Sequence, residues 1–119
     1  MDTKLRRLLY GWGVPPHVKG FRYIASAVEI DLEDPEALDR ITKVLYLKIA
    51  KMYNTTPSRV ERAIRHAKEL GLYNMDFDQI QKYFGNTIGS HGAVPNSLYL
   101  TVLAQTYREL IAKEENNNG

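Results

Sequence analysis

Residues 48–70 read KIAKMYNTTPSRVERAIRHAKEL. The stretch holds a short helical pattern, a tight polar turn and a second helical pattern. Thr56 is suited to cap the second helix and Pro57 to occupy its first position. Ile49, Ala50, Tyr53, Val60 and Ile64 would face one another across the turn, and Ala50 is small enough to let the two helices cross closely. This is the pattern of a helix-turn-helix, whose second helix enters the major groove of DNA.

The second helix carries the chemistry that such a role needs. Its outward positions are expected to be Ser58, Arg59, Glu61, Arg62, Arg65, His66, Lys68 and Glu69. Arg59, Arg62 and Arg65 follow one another at intervals of three, with His66 beside them. An arginine can hold guanine O6 and N7 with both arms of its guanidinium, and a carboxylate can accept from cytosine N4. Glu61 is therefore either a base reader or a partner that orients Arg65 through an i, i+4 pair. Thr55, Thr56 and Ser58 sit where hydroxyls and free backbone N–H groups can meet phosphate. Lys43, Lys48 and Lys51 would neutralise flanking phosphates.

The charge distribution falls on the same stretch. The 119 residues carry a net charge of only +2. Yet residues 40–68 hold eight basic side chains against the single acid Glu61, a net of +7, and the rest of the chain is at −5. An acidic cluster, Glu29, Asp31, Glu33, Asp34, Glu36 and Asp39, lies just before it. Such polarity lets one face meet a polyanion while another repels it.

Outward from this centre the chain reads as helices throughout. Leu5, Leu8 and Leu9 have helical spacing over residues 3–10, before Gly11, Gly13 and the Pro15-Pro16 pair. Val18, Phe21, Ile24, Ala25 and Val28 form a stripe over residues 17–30. Asp34 is placed to cap a helix starting at Pro35, and one or two helices then cover residues 35–53. The helix after Thr56 is expected to end at Gly71. Asp76 or Asp78 opens a short helix through Phe84, residues 85–95 form a loop, and Asn96 or Ser97 opens a last helix through about Lys113. No stretch alternates with period two. The expectation is an all-α single domain over residues 1–113, with about six helices including the helix-turn-helix, and a disordered polar tail over residues 114–119.

The residues also resemble a known family. GVPPHVKGFRYI (residues 13–24), ITKVLYLKIAKMYNTT (41–56), SRVERAIRHA (58–67), FGNT (84–87) and PNS (95–97) are similar to the C-terminal DNA-binding effector domains of the sporulation initiation response regulators, the stage 0 sporulation protein A family. The resemblance spans nearly the whole chain and is most specific in SRVERAIRHA. It implies an all-helical domain that controls transcription at short repeated DNA boxes, with neighbouring copies on tandem boxes and contact with the sigma subunit of RNA polymerase. It further implies that Arg59, Glu61, Arg62 and Arg65 read bases or contact the groove, with Ser58 and His66 in support. Leu47 stands where the family tends to have proline, and residues 71–81 and 89–95 lack basic residues that the resemblance would place there. Family members usually carry a phosphorylatable receiver domain before this one. The 119 residues hold none, as expected of an excised domain or an orphan effector.

Other chemistries find little support. With no cysteine there is no disulfide framework, thiolate zinc site, iron–sulfur cluster or cysteine nucleophile. His17, His66 and His91 do not pair at metal-ligand spacing. The glycines of GNTIGSHG lack the GK[ST] and preceding strand of a phosphate loop. No apolar run reaches the roughly 18 residues of a membrane span. The reading is a cytoplasmic, sequence-specific regulator that binds double-stranded DNA, with no catalytic activity, metal or cofactor. Its rival is a degenerate effector domain that uses the same basic face to bind RNA polymerase or a regulator partner.

Overall fold

The helix at Lys19–Glu33, α2 in chain order, is buried almost all the way round: Phe21, Tyr23, Ile24, Ala25, Ser26, Ala27 and Val28 are all shielded from solvent. The computed structural model describes residues 1–40, 44–85 and 94–118. In it, α1 (Thr3–Gly11), α3 (Tyr46–Met52), α4 (Pro57–Asn74), α5 (Phe77–Phe84) and α6 (Asn96–Asn118) complete an all-α fold. Contacts from α1, α3, α4 and α6 enclose α2. The one-sided stripe expected of residues 17–30 is thus a central helix. Small residues make this possible, since Gly20, Ala25, Ser26 and Ala27 let neighbours approach from several sides.

At Gly20, α2 and α4 approach each other closely. A Cβ built on Gly20 would lie 2.1 Å from the carbonyl oxygen of Ala63 and 2.6 Å from the Cβ of Ala67. Only glycine fits there, so Gly20 sets how near α4 lies to the core helix. On the other side, Arg108 of α6 pairs with the buried carboxylate of Asp31 at 2.9 Å and donates to its backbone carbonyl at 2.7 Å. Burial holds the Asp31 carboxyl above its ordinary range, an effect opposed by the Arg108 charge.

The two chain ends are tied to each other. The Asp2 side chain caps α1 by accepting from the Leu5 N–H at 2.8 Å, and the Tyr107 hydroxyl of α6 donates to its other oxygen. These bonds hold the Asp2 carboxyl below its ordinary range. Trp12, fully buried after α1, packs against Tyr83, Tyr99 and Phe84 with ring centroids 4.8, 5.1 and 5.7 Å away. That aromatic cluster joins α1, α5 and α6.

Besides α2, which runs on to Glu33 rather than ending at Ile30, three boundaries differ from the sequence reading. The segment after Asp34 is a single 3₁₀ turn, Pro35–Ala37, capped by Asp34 through the Glu36 N–H at 3.2 Å, and not a helix running towards Tyr53. The tighter turn brings Ala37 and Leu38 into the core in succession. After one wide helical turn at Val44 and Leu45, α3 begins as a separate element. Secondly, α4 continues through Gly71 to Asn74. Gly71 acts in packing here: a Cβ on it would meet the Tyr99 hydroxyl at 3.0 Å, the Trp12 carbonyl at 3.1 Å and Val14 at 3.2 Å. Beyond it, Asn74 donates to the Gly13 carbonyl at 2.7 Å. Thirdly, α6 runs on to Asn118 rather than stopping near Lys113, and Glu114 on its last turns pairs with Lys4 of α1. The start of α5 matches the reading, with Asp76 and Gln79 forming a reciprocal capping box.

Candidate nucleic-acid interface

The turn between α3 and α4 is built from residues with separate tasks. Asn54 takes a left-handed conformation, φ 53°, which asparagine tolerates better than most residues. Thr55 N–H then returns to the Ala50 carbonyl at 2.9 Å. The preceding ring, Tyr53, is held between helices: it lies 5.1 Å from the Tyr23 ring, and its hydroxyl shares a 2.7 Å hydrogen bond with Ser26. Arg22 lies over its face at 5.6 Å. Thr56 caps α4 by accepting from Arg59 N–H at 3.3 Å, with Pro57 at the first position.

Ile49 and Ala50 of α3 and Val60, Ile64 and Ala67 of α4 are buried, which fixes how α4 is rotated. Ser58, Arg59, Arg62, Arg65 and His66 consequently project into solvent from its N-terminal half. Arg62 Nε donates to the Ser58 carbonyl at 3.4 Å. Half-buried Glu61 pairs with Arg65 at 3.3 Å, so in the free protein its carboxylate orients an arginine. The backbone carbonyl of Glu61 accepts from Asn96 at 3.4 Å, and the same amide donates to the Tyr46 hydroxyl at 2.9 Å. The start of α6 thereby ties α3 to α4 directly behind the arginine row.

Of the residues expected on the outward face, Lys68 is placed otherwise. It is only 7% exposed, four residues beyond Ile64 and next to Ala67, with its stem laid along the core. Burial holds its ammonium below the ordinary lysine range. Lys48 and Lys51 are exposed on α3, and Lys48 is 3.7 Å from the Asp34 carboxylate. Lys43 and His91 lie outside the described residues.

The surroundings of α4 add residues that the sequence reading did not single out. A groove of about 460 Å³ is lined by Lys19 and Tyr23 of α2 together with Thr55, Arg59, Arg62 and Ala63. Lys19 and Arg22 lie one turn apart on the narrow exposed strip of α2. Their spacing of three was visible in the sequence, but they fall outside the basic stretch at residues 40–68. A second groove, of about 330 Å³, lies towards the other end of α2 and is lined by Ile30, Glu33, Asp34, Lys48, Lys51 and Met52. Among the described residues no helix is long and apolar enough to cross a membrane, and no group of three or more histidine or acidic side chains is placed to hold a metal ion.

The family model described as "Sporulation initiation factor Spo0A C terminal" matches residues 5–107, which include every helix named here except the first two residues of α1 and the last turns of α6. That is a family of DNA-binding effector domains rather than of enzymes. A match over this share of the chain, on an all-α scaffold with a basic helix-turn-helix, settles kinship: the chain belongs to the Spo0A C-terminal family of DNA-binding sporulation effector domains.

Proposed function

We propose that the protein reads a specific double-stranded DNA sequence by laying the N-terminal half of α4 in the major groove. The observation that carries this reading is the split around α4: Val60, Ile64 and Ala67 are buried while Ser58, Arg59, Arg62, Arg65 and His66 are exposed together. Arg59, Arg62 and Arg65 are the candidate readers of guanine, with Glu61 either orienting Arg65 or accepting from cytosine. Thr55, Thr56 and Ser58 would meet the sugar–phosphate backbone at the start of the helix, where the helix dipole favours an anion, and His66 would be a supporting contact further along it. Lys48 and Lys51 add positive charge beside them, as Lys43 would from the sequence. A second copy on an adjacent box, and a contact with the sigma subunit of polymerase, belong to the same reading.

Titration of duplex DNA at several salt concentrations tests it. Selection from a random pool supplies one duplex, and a scrambled duplex is the control. Specific reading gives a preference of 10³-fold or more and an affinity that falls steeply with salt. Equal affinity for the two duplexes would overturn the proposal and favour a protein-interaction role for the same face.

A further inference from the structure

We propose that Lys19 and Arg22 of α2 form a phosphate clamp, so that one DNA strand crosses the groove between α2 and α4 and not the lysine-bearing side of α3. This inference rests on the duplex-binding reading above and adds where the backbone runs.

Three observations support it. The first is continuity. Lys19 lines the same groove as Thr55, Arg59 and Arg62, and Arg22 is anchored over Tyr53 in the turn that leads into α4. The clamp thus adjoins the arginine row on a surface whose position is set by Gly20, where the two helices are in close contact.

The second is availability. Among the described residues, Lys19, Arg22, Arg59 and Arg62 are in none of the ion pairs, which instead engage Lys4, Arg40, Lys48, Arg65 and Arg108. No carboxylate lines the groove that holds Lys19, Arg59 and Arg62. The neighbouring depression, which Arg22 shares with Arg6, contains one acid, Glu29.

The third is the contrast along α2 itself. Its N-terminal end carries Lys19 and Arg22 and the positive end of the helix dipole, whereas its C-terminal end carries Glu29, Asp31 and Glu33, followed by Asp34. Lys48 pairs with Asp34, and Lys51 shares a groove with Glu33 and Asp34. A phosphate approaching α3 meets those carboxylates, while one approaching the start of α2 meets cations alone apart from Glu29.

The slope of log affinity against log salt tests the clamp, because each neutralised phosphate contributes about 0.9 to it. The full 119-residue chain is titrated with the selected and scrambled duplexes. K19A/R22A is expected to lower the slope by about 1.8 on both. Its affinity deficit should therefore shrink roughly tenfold between 50 and 200 mM salt. K48A/K51A is expected to lower the slope by less than 1, and the charge-conserving K19R/R22K to restore the wild-type slope. The thermal midpoint of each variant checks that it remains folded.

A wild-type slope in K19A/R22A, or a loss confined to the selected duplex, would overturn the clamp. A larger loss from the α3 pair than from the α2 pair would overturn the proposed path of the strand. The reading of bases fails separately, if wild-type protein does not distinguish the two duplexes. In that case the slopes still decide whether α2 holds phosphate.

Discussion

The two halves of α4 share one helix but differ in charge and in surroundings: Arg59, Arg62 and Arg65 outweigh Glu61 in the first, whereas Lys68 and Glu69 balance in the second. In the first half the core takes only a narrow line, Val60 and Ile64, and the cations project outward. In the second half Ala67, Lys68 and Gly71 are all buried, and Asn74 is bonded to the loop after α1. Arg65 and Lys68 are three residues apart, but one stands in solvent and the other lies along the core. A helix that must present side chains to a partner needs its axis fixed by something else. Here the buried rear half, the contact of Gly20 with Ala63 and Ala67, and the bond from Asn96 to the Glu61 carbonyl supply that fixation, leaving the outer face of the front half free of tertiary duty.

The strongest way to break this division is to disturb the support. Gly20→Ala puts a methyl group against the backbone of α4, where only a shift of the helix can relieve it. It is expected to destabilise the protein by about 3 kcal/mol in denaturant unfolding, despite alanine's better helix propensity. A loss below about 0.5 kcal/mol would show that the crossing is not close.

Next in size is a change on the reading half. Arg62→Ala is expected to weaken the selected duplex by about 1–3 kcal/mol and to flatten the preference over the scrambled one. Unfolding should change little, because Arg62 is exposed. Lys51→Ala should instead weaken both duplexes by a smaller and equal factor. If both substitutions act uniformly across sequences, the division between base reader and sequence-independent charge fails.

Asn74→Ala tests the rear half without touching its packing. Removing the bond to the Gly13 carbonyl is expected to cost about 1 kcal/mol of stability. DNA affinity, measured well below the unfolding transition, should stay at the wild-type value.

The smallest effect is expected from Lys68→Met, which removes a charge from a buried position and keeps the apolar stem. The salt slope should not change, and the thermal midpoint should be equal or higher. The pH dependence carries the sign. With the folded-state ammonium held below the ordinary lysine value of 10.5, the folded protein releases that proton first. Lys68 therefore costs stability at neutral pH, and the cost is relieved as pH rises through the folded value towards the unfolded one. Lys68→Met should flatten that alkaline rise. A fall of about 1 in the salt slope would make Lys68 a phosphate contact and dissolve the contrast between the halves.

Much of this architecture was legible in the residues. The Thr56-Pro57 start, the inward line of Ile49, Ala50, Val60 and Ile64, and the arginine row follow from local signals, and the structure places them as read; of the two aspartates read as possible caps of α5, it selects Asp76. Among the readings that the structure corrected, two rested on a residue's usual habit alone. Gly71 looked like a helix stop because glycine commonly follows a helix, but Trp12, Val14 and Tyr99 use its missing side chain. Lys68 looked solvated because lysine commonly is, but Ile64 and Ala67 set the angle of its position on the helix.

What the sequence by itself determined is whatever depends on neighbours within a turn or two: the caps, the helical periods, the polar turn and the concentration of charge at residues 40–68. Hydrogen bonds between residues three or four apart and side-chain spacing along one helix carry that information directly. Only the tertiary structure decided that α2 is the central helix, that Lys19 and Arg22 adjoin the arginine row, and that Lys48 stands beside Asp34. Those outcomes depend on residues well separated in the chain being brought together by helix packing, the crossing of α2 with α4 above all. That crossing is close because Gly20 has no side chain to prevent it.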